Sequence, residues 1–279
     1  KKIDWGEIIR DSWVESEKSF FNINDKENLI KIKWSKKYSE DLLKLSLIYF
    51  DAGYLISNEI LSGTKHDNEK TDMWFLPAVY LIRQSLELLL KGGIAKHVNY
   101  NPKLQEILIE NKHRLPCLYS VLLDCKGEST LESKEYEWLN SYLNDIEIID
   151  SSSDLFRYPH GKEFLDKYYG KFLDVYDMLY RLVISYNILY KEVNKVYYSD
   201  DVIDLIQEPV FISQAKHGIG NCYIWDTPNG DGFHRQLIGY SKAASYLFNQ
   251  YNESDDGIRF YPVVFLYRNA IELALKRLL

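Results

Sequence analysis

The sequence has little cysteine, glycine, proline or methionine, and no excess of positive charge. Its three cysteines, Cys117, Cys125 and Cys222, include no CxxC pair. An odd count without paired spacing speaks against a disulfide framework and a zinc site, so no metal and no cofactor are expected. Fourteen glycines and seven prolines in 279 residues are few. That scarcity disfavours turn-dense sandwiches and barrels. The net charge is −7. Proteins that live on a phosphate backbone usually carry an excess of Lys and Arg, so a nucleic-acid surface here must be a local patch. No stretch supplies the roughly 18 apolar residues of a membrane span, and KKIDWGEIIR lacks the apolar core of a signal peptide. A cytoplasmic setting with no membrane partner is expected. The chain begins without Met and stops within a helical pattern, as a piece of a longer protein would.

What the sequence does have is helical periodicity. Hydrophobic residues make up 46% and charged residues 27%, and 23 residues are tyrosine. Residues 1–38 are an N-terminal segment rich in Trp (Trp5, Trp13, Trp34). From Ser39 to Leu61, Leu42, Leu45, Ile48, Ala52 and Leu55 recur on one helical face. A second helix is expected over 75–91, ending at Gly92-Gly93. Further helices are expected near 113–125, 131–148 and 163–195, which complete a first bundle over 39–196. Residues 197–236 form a Gly/Pro-containing linker with room for a small β-hairpin. Helical spacing resumes at about Leu237, so 237–279 begins a second unit. The expected fold class is all-α, a helical bundle with an internal duplication.

The duplication is visible in one comparison. Residues 75–91 read FLPAVYLIRQSLELLLK and residues 260–276 read FYPVVFLYRNAIELALK; nine of seventeen positions are identical. Upstream, Ala52-Gly-Tyr-Leu55 matches Ala244-Ser-Tyr-Leu247. Tyr54 to Pro77 spans 23 residues and Tyr246 to Pro262 spans 16, so the second connection is seven shorter. A helix–loop–helix unit therefore occurs twice, with the second copy truncated. In the first copy Arg83, Gln84, Glu87 and Lys91 lie within an arc of about 100° on an otherwise apolar helix. Arg268, Asn269, Glu272 and Lys276 repeat that stripe. Two readings stand side by side. The stripe is a set of ordinary helix-face ion pairs, or it lines a cleft or the seam between the copies, where Arg offers its fork to phosphate or carboxylate.

A helix with a central Arg followed by acidic and basic residues at helical spacing, then His113-Arg-Leu-Pro116, and later SSSDLFRYP (151–159), resembles the HEPN superfamily of helical domains. The resemblance covers about 40–195, and about 237–279 as a partial second copy. It implies a bundle that dimerises, here with self-association or a pseudo-dimer between the copies. It also implies RNA or nucleotide as partner, and RNA cleavage in phage-defence or toxin–antitoxin systems. The family's chemistry uses Arg-x4–6-His, and none of the six histidines here has an Arg at that distance upstream. On this reading Arg83, Glu87, Arg157 and His160 are the catalytic candidates. Lys91, His113, Arg268, Glu272 and Lys276 are the ligand-binding candidates. The alternative is a degenerate HEPN-like module serving oligomerisation or partner binding.

The remaining motifs favour structural roles. Arg157 and His160 lie in DLFRYPHG (154–161), where Arg157 is expected to pair with Asp154 or Glu87. Gly218-Ile-Gly220 lacks a strand–GxGxxG–helix context. Asp226, Asn229 and Asp231 lack the Gly and closing Glu of a calcium loop. Cys222 has no neighbouring base. Tyr158, Tyr168, Tyr169, Tyr176, Tyr180, Tyr186 and Tyr190 recur at helical spacing, as residues that pack within the bundle do.

Overall fold

The most apolar helix of the sequence sits at the centre of the molecule. The computed structural model describes residues 34–35, 37–62, 68–98, 102–159, 161–199, 205, 207–224, 231–251 and 259–278. All belong to one compact unit, Lys33–Leu279. In chain order these residues form α1 (Tyr38–Ser62), a π-helical turn (Lys70–Trp74), α2 (Phe75–His97), α3 (Pro102–Asn111), α4 (Leu115–Lys126), α5 (Ser133–Asp150) and α6 (Lys162–Tyr168). Then follow β1 (Phe172–Leu173), α7 (Val175–Asn194), β2 (Gln214–Ala215), β3 (Cys222–Tyr223), α8 (Asp231–Gln250) and α9 (Phe260–Arg277). The protein is all-α, with one small sheet among the described residues.

Leucine, isoleucine and valine run round most of the α2 surface, so the helix must be covered on nearly every side. It packs against α1, α4, α7 and α8. Phe75, Val79, Ile82, Leu86 and Leu90 are fully buried, each contributing roughly 1.5–3 kcal/mol of burial. The expectation that no stretch is apolar enough for a membrane span needs correcting: the run Lys70–His97 is long and apolar enough by length and composition, but 78% of its most apolar window is buried inside the protein. That is how a core helix reads.

Gly92-Gly93 does not end α2, which continues to His97. A Cβ on Gly92 would lie 2.8 Å from Leu43 Cδ2 of α1, and one on Gly93 3.0 Å from Leu122 of α4 and Val193 of α7. The two glycines serve close helix approach, not a stop. Other differences have local causes. The helix expected over 163–195 is broken: Gly170 takes φ +72°, Phe172–Leu173 joins the sheet, and Asp174 caps the restart by accepting from the Asp177 N–H at 2.9 Å. β2 and β3 do not pair as a hairpin; both flank β1, in the order β2-β1-β3. α8 starts at Asp231, earlier than Leu237. α3 had no visible periodicity because Leu104 is its one buried residue. Tyr168 and Tyr186 are buried as expected, whereas Tyr169 and Tyr176 are exposed. The Trp-rich segment, apart from residues 34, 35, 37 and 38, lies outside the described residues, as do His160, Asp226 and Asn229.

The repeated units are two helix pairs, α1 with α2 and α8 with α9. Equivalent positions meet. Tyr80 and Phe265 occupy the same place in the repeat, and their rings stack at 4.8 Å and 8°. Trp74 packs on Tyr246 at 5.5 Å, while Arg259, which is equivalent to Trp74, shares a cavity wall with Tyr54, which is equivalent to Tyr246. The α8 backbone comes so near the π-helical turn that a Cβ on Gly239 would sit 2.2 Å from the Met73 carbonyl oxygen.

Candidate functional site

The polar stripe of α2 becomes a buried knot. Arg83 and Glu87 are each 1% exposed. The Arg83 guanidinium donates to Glu87 Oε2 at 2.8 Å, to the His113 carbonyl at 2.8 Å and to the Asp150 carbonyl at 3.3 Å. Its Nε lies 3.4 Å from Asp150 Oδ2. Lys91 donates to Glu87 Oε1 at 2.6 Å, and His113 Nδ1 lies 3.0 Å from Glu87 Oε2. One arginine thus ties the α2 core to the α3–α4 turn and to the end of α5. The turn is tight, with Lys112 at φ 43°, which aims the His113 carbonyl inward. Asp150 Oδ1 accepts from the Asp154 and Leu155 amides at 2.9 and 3.0 Å, so the knot also starts the 151–159 connector.

The two carboxylates divide the arginine unequally. Burial alone would raise Glu87, but the His113 hydrogen bond and the charges of Lys91 and Arg83 outweigh it and bring Glu87 down to about 2. For Asp150, burial prevails over Arg83 and the two amides and pushes the carboxyl above its ordinary range.

A second polar cluster lies where the connector reaches α9. The guanidinium of Arg157 lies 5.6 Å from the Tyr80 ring and 5.5 Å from the Phe265 ring. Arg157 Nε donates to Asn269 Oδ1 at 3.4 Å, and Asn269 Nδ2 donates back to the Arg157 carbonyl at 3.3 Å. Tyr158 donates to Glu272 at 2.7 Å. Lys276 pairs with Glu272 at 2.9 Å and covers the Tyr158 ring at 3.9 Å. α8 joins in, with Tyr240 donating to the Phe156 carbonyl at 3.1 Å and Gln236 to that of Tyr158.

The structure therefore brings Arg83, Glu87, Lys91 and His113 together in one cluster and Arg157, Glu272 and Lys276 in another. Arg157 pairs with neither carboxylate expected for it, Asp154 or Glu87; its side-chain partners are Asn269 and Glu272 of α9 and the neighbouring Tyr158 hydroxyl, to which it donates at 3.1 Å. Arg268 joins neither cluster: it is exposed and has no hydrogen-bond or ion-pair partner among the described residues. Asp150 was missing from the sequence-derived set, as were the Tyr80–Phe265 stack and the Asn269 clasp. Asp150 stands directly before Ser151-Ser-Ser153, and Tyr80 and Phe265 share a repeat position; those were the available signals.

Among the described residues no three or more His, Cys, Asp or Glu side chains are grouped to hold a metal. Cys222 is buried, and desolvation raises its thiol to about 11. Four surface cavities are lined by neither Arg83 nor Arg268. The largest of these four, about 450 Å³, lies between the end of α5 and α6. No family model, no curated protein and no solved structure matches the chain.

Proposed function

We propose that the chain is an assembly module whose polar stripes serve as structural latches, and that it does not cleave RNA. The burial of Arg83 carries this reading. A phosphate-binding arginine must present its donors to a ligand, and here the buried Nη1 and Nη2 donate to Glu87 and to the His113 and Asp150 carbonyls, while Nε faces Asp150 Oδ2 at 3.4 Å. The second stripe likewise spends Glu272 and Lys276 on the connector. The one stripe, present twice, thus fastens the first copy internally and fastens the connector to the second. Any likeness to HEPN bundles then concerns shape, without the cleavage chemistry. The test pairs RNA incubation with stability. The expected result is no cleavage of total RNA by the wild-type chain, and an Arg83→Met variant that melts earlier. Cleavage by the wild type that is lost in Arg83→Met, at a temperature where that variant remains folded, would refute the reading.

A further inference from the structure

α2 and α9 share nine of seventeen residues, yet their apolar faces meet different fates. On α2, Val79, Ile82, Leu86 and Leu90 are fully buried in a helix enclosed by α1, α4, α7 and α8. The equivalent residues of α9 face outward: Val264 is 62% exposed, Tyr267 38%, Ile271 62% and Leu275 60%, and Leu278 continues the line at 83%. Five large side chains so exposed form a patch on the order of several hundred Å², the upper end of what a monomer shows and a mark of an interaction site.

We propose that this face is covered by a second copy of the same chain, with the two α9 helices antiparallel about a twofold axis at Ile271. This deepens the assembly reading by naming its contact surface. Three observations select the occupant. First, the stripe is self-complementary. Tyr267 and Leu275 lie four residues either side of Ile271, and Val264 and Leu278 seven. An antiparallel pair sets Val264 against the other copy's Leu278, Tyr267 against Leu275, and Ile271 against itself. Such self-matching is what a twofold interface requires. Second, two such faces reach about 1,000 Å² together, the threshold of a specific interface. Third, exposed Arg268 lies three residues before Ile271. Antiparallel pairing offsets the two copies of Arg268 by six residues, about 9 Å along the axis, whereas parallel pairing would set them side by side.

The test uses the 279-residue chain in sedimentation equilibrium and in cysteine cross-linking, with Cys117→Ser and Cys125→Ser as background. The wild type is expected to sediment as a dimer. Ile271→Asp, at an exposed site, is expected to weaken that dimer on the order of a hundredfold with helix content and melting unchanged. Ile271→Cys is expected to form a disulfide-linked dimer under mild oxidation. Val264→Cys is expected to do so only when mixed with Leu278→Cys. A monomeric wild type overturns the proposal, as does a dimer indifferent to Ile271→Asp and silent in both cross-links. These outcomes do not touch the Arg83 test, so either reading fails separately.

Discussion

Substituting methionine for Arg83 and for Arg268 makes the same chemical change at equivalent repeat positions, and the outcomes should differ widely. Arg83 is the only cation set against both Glu87 Oε2 and Asp150 Oδ2 among the described pairs. Arg83→Met keeps most of the buried volume but leaves Asp150 without its cation. Removing one partner of a buried pair costs about 3–5 kcal/mol. Lys91 and His113 still serve Glu87, which argues for the lower half of that range. Arg268→Met removes an exposed charge and should stay within about 0.5 kcal/mol. Urea denaturation followed by far-UV circular dichroism at pH 7 measures both. Acid supplies an independent check. Asp150 is already raised by burial, and losing Arg83 raises it further. A carboxyl whose folded pKa is raised binds protons first in the folded state, so lowering the pH from 7 to about 5 favours folding. The deficit of Arg83→Met relative to wild type should therefore shrink across that window. Asp150→Asn should likewise soften the Arg83→Met loss, making the double variant less than additive. A deficit below about 1 kcal/mol at pH 7 would refute the latch. So would a deficit that stays constant as the pH falls.

Four further outcomes are expected. Gly239→Ala should destabilise by about 1–3 kcal/mol, read as a lower melting temperature, because its Cβ would meet backbone at Met73 that has no room to yield. Stability supplied by Glu87 is fully present above its ordinary value of 4.5 and is lost as pH falls toward about 2; the difference of about 2.5 corresponds to about 3 kcal/mol, and Glu87→Gln should flatten that limb of an acid titration. Arg157→Ala should cost about 1–2 kcal/mol and change the near-ultraviolet dichroism of the Tyr80–Phe265 stack. In the native protein Cys222 should react with a thiol reagent far more slowly than Cys117 and Cys125, since it is buried with its thiol raised to about 11.

Helix type and position were readable because periodicity is local. Of the five residues whose spacing marked the α1 face, Leu42, Ile48 and Ala52 are buried, while Leu45 and Leu55 are half-buried at its edge. The breaks in helices were less readable. Gly92 and Gly93 look like a stop, and only the positions of Leu43, Leu122 and Val193 show that they admit neighbouring helices. Gly170 lies inside a continuing helical pattern and breaks it because Phe172–Leu173 finds strand partners more than forty residues later. For the site, spacing alone placed Arg83, Glu87 and Lys91 on one face. It could not reveal that Asp150, 67 residues downstream, closes over Arg83, since that pairing depends on where α5 ends in space.

The repeat shows how one sequence pattern takes on two roles. Arg83 and Arg268 began as equivalent residues on equivalent helices. What separates them is cover: α4 and α7 enclose the first helix, and the turn at His113 and the end of α5 then supply Arg83 with a carbonyl and a carboxylate. α9 packs on α8 and meets α2 through the Tyr80–Phe265 stack, and the connector lies on its polar flank through Arg157 and Tyr158. Its Glu and Lys are therefore employed while its Arg and its apolar stripe are left facing water. Retaining Val264, Ile271 and Leu275 as apolar residues at such exposure is unfavourable for a monomer in water. The spacing of Val264, Tyr267, Leu275 and Leu278 about Ile271 is the feature on which the proposed pairing of two copies rests.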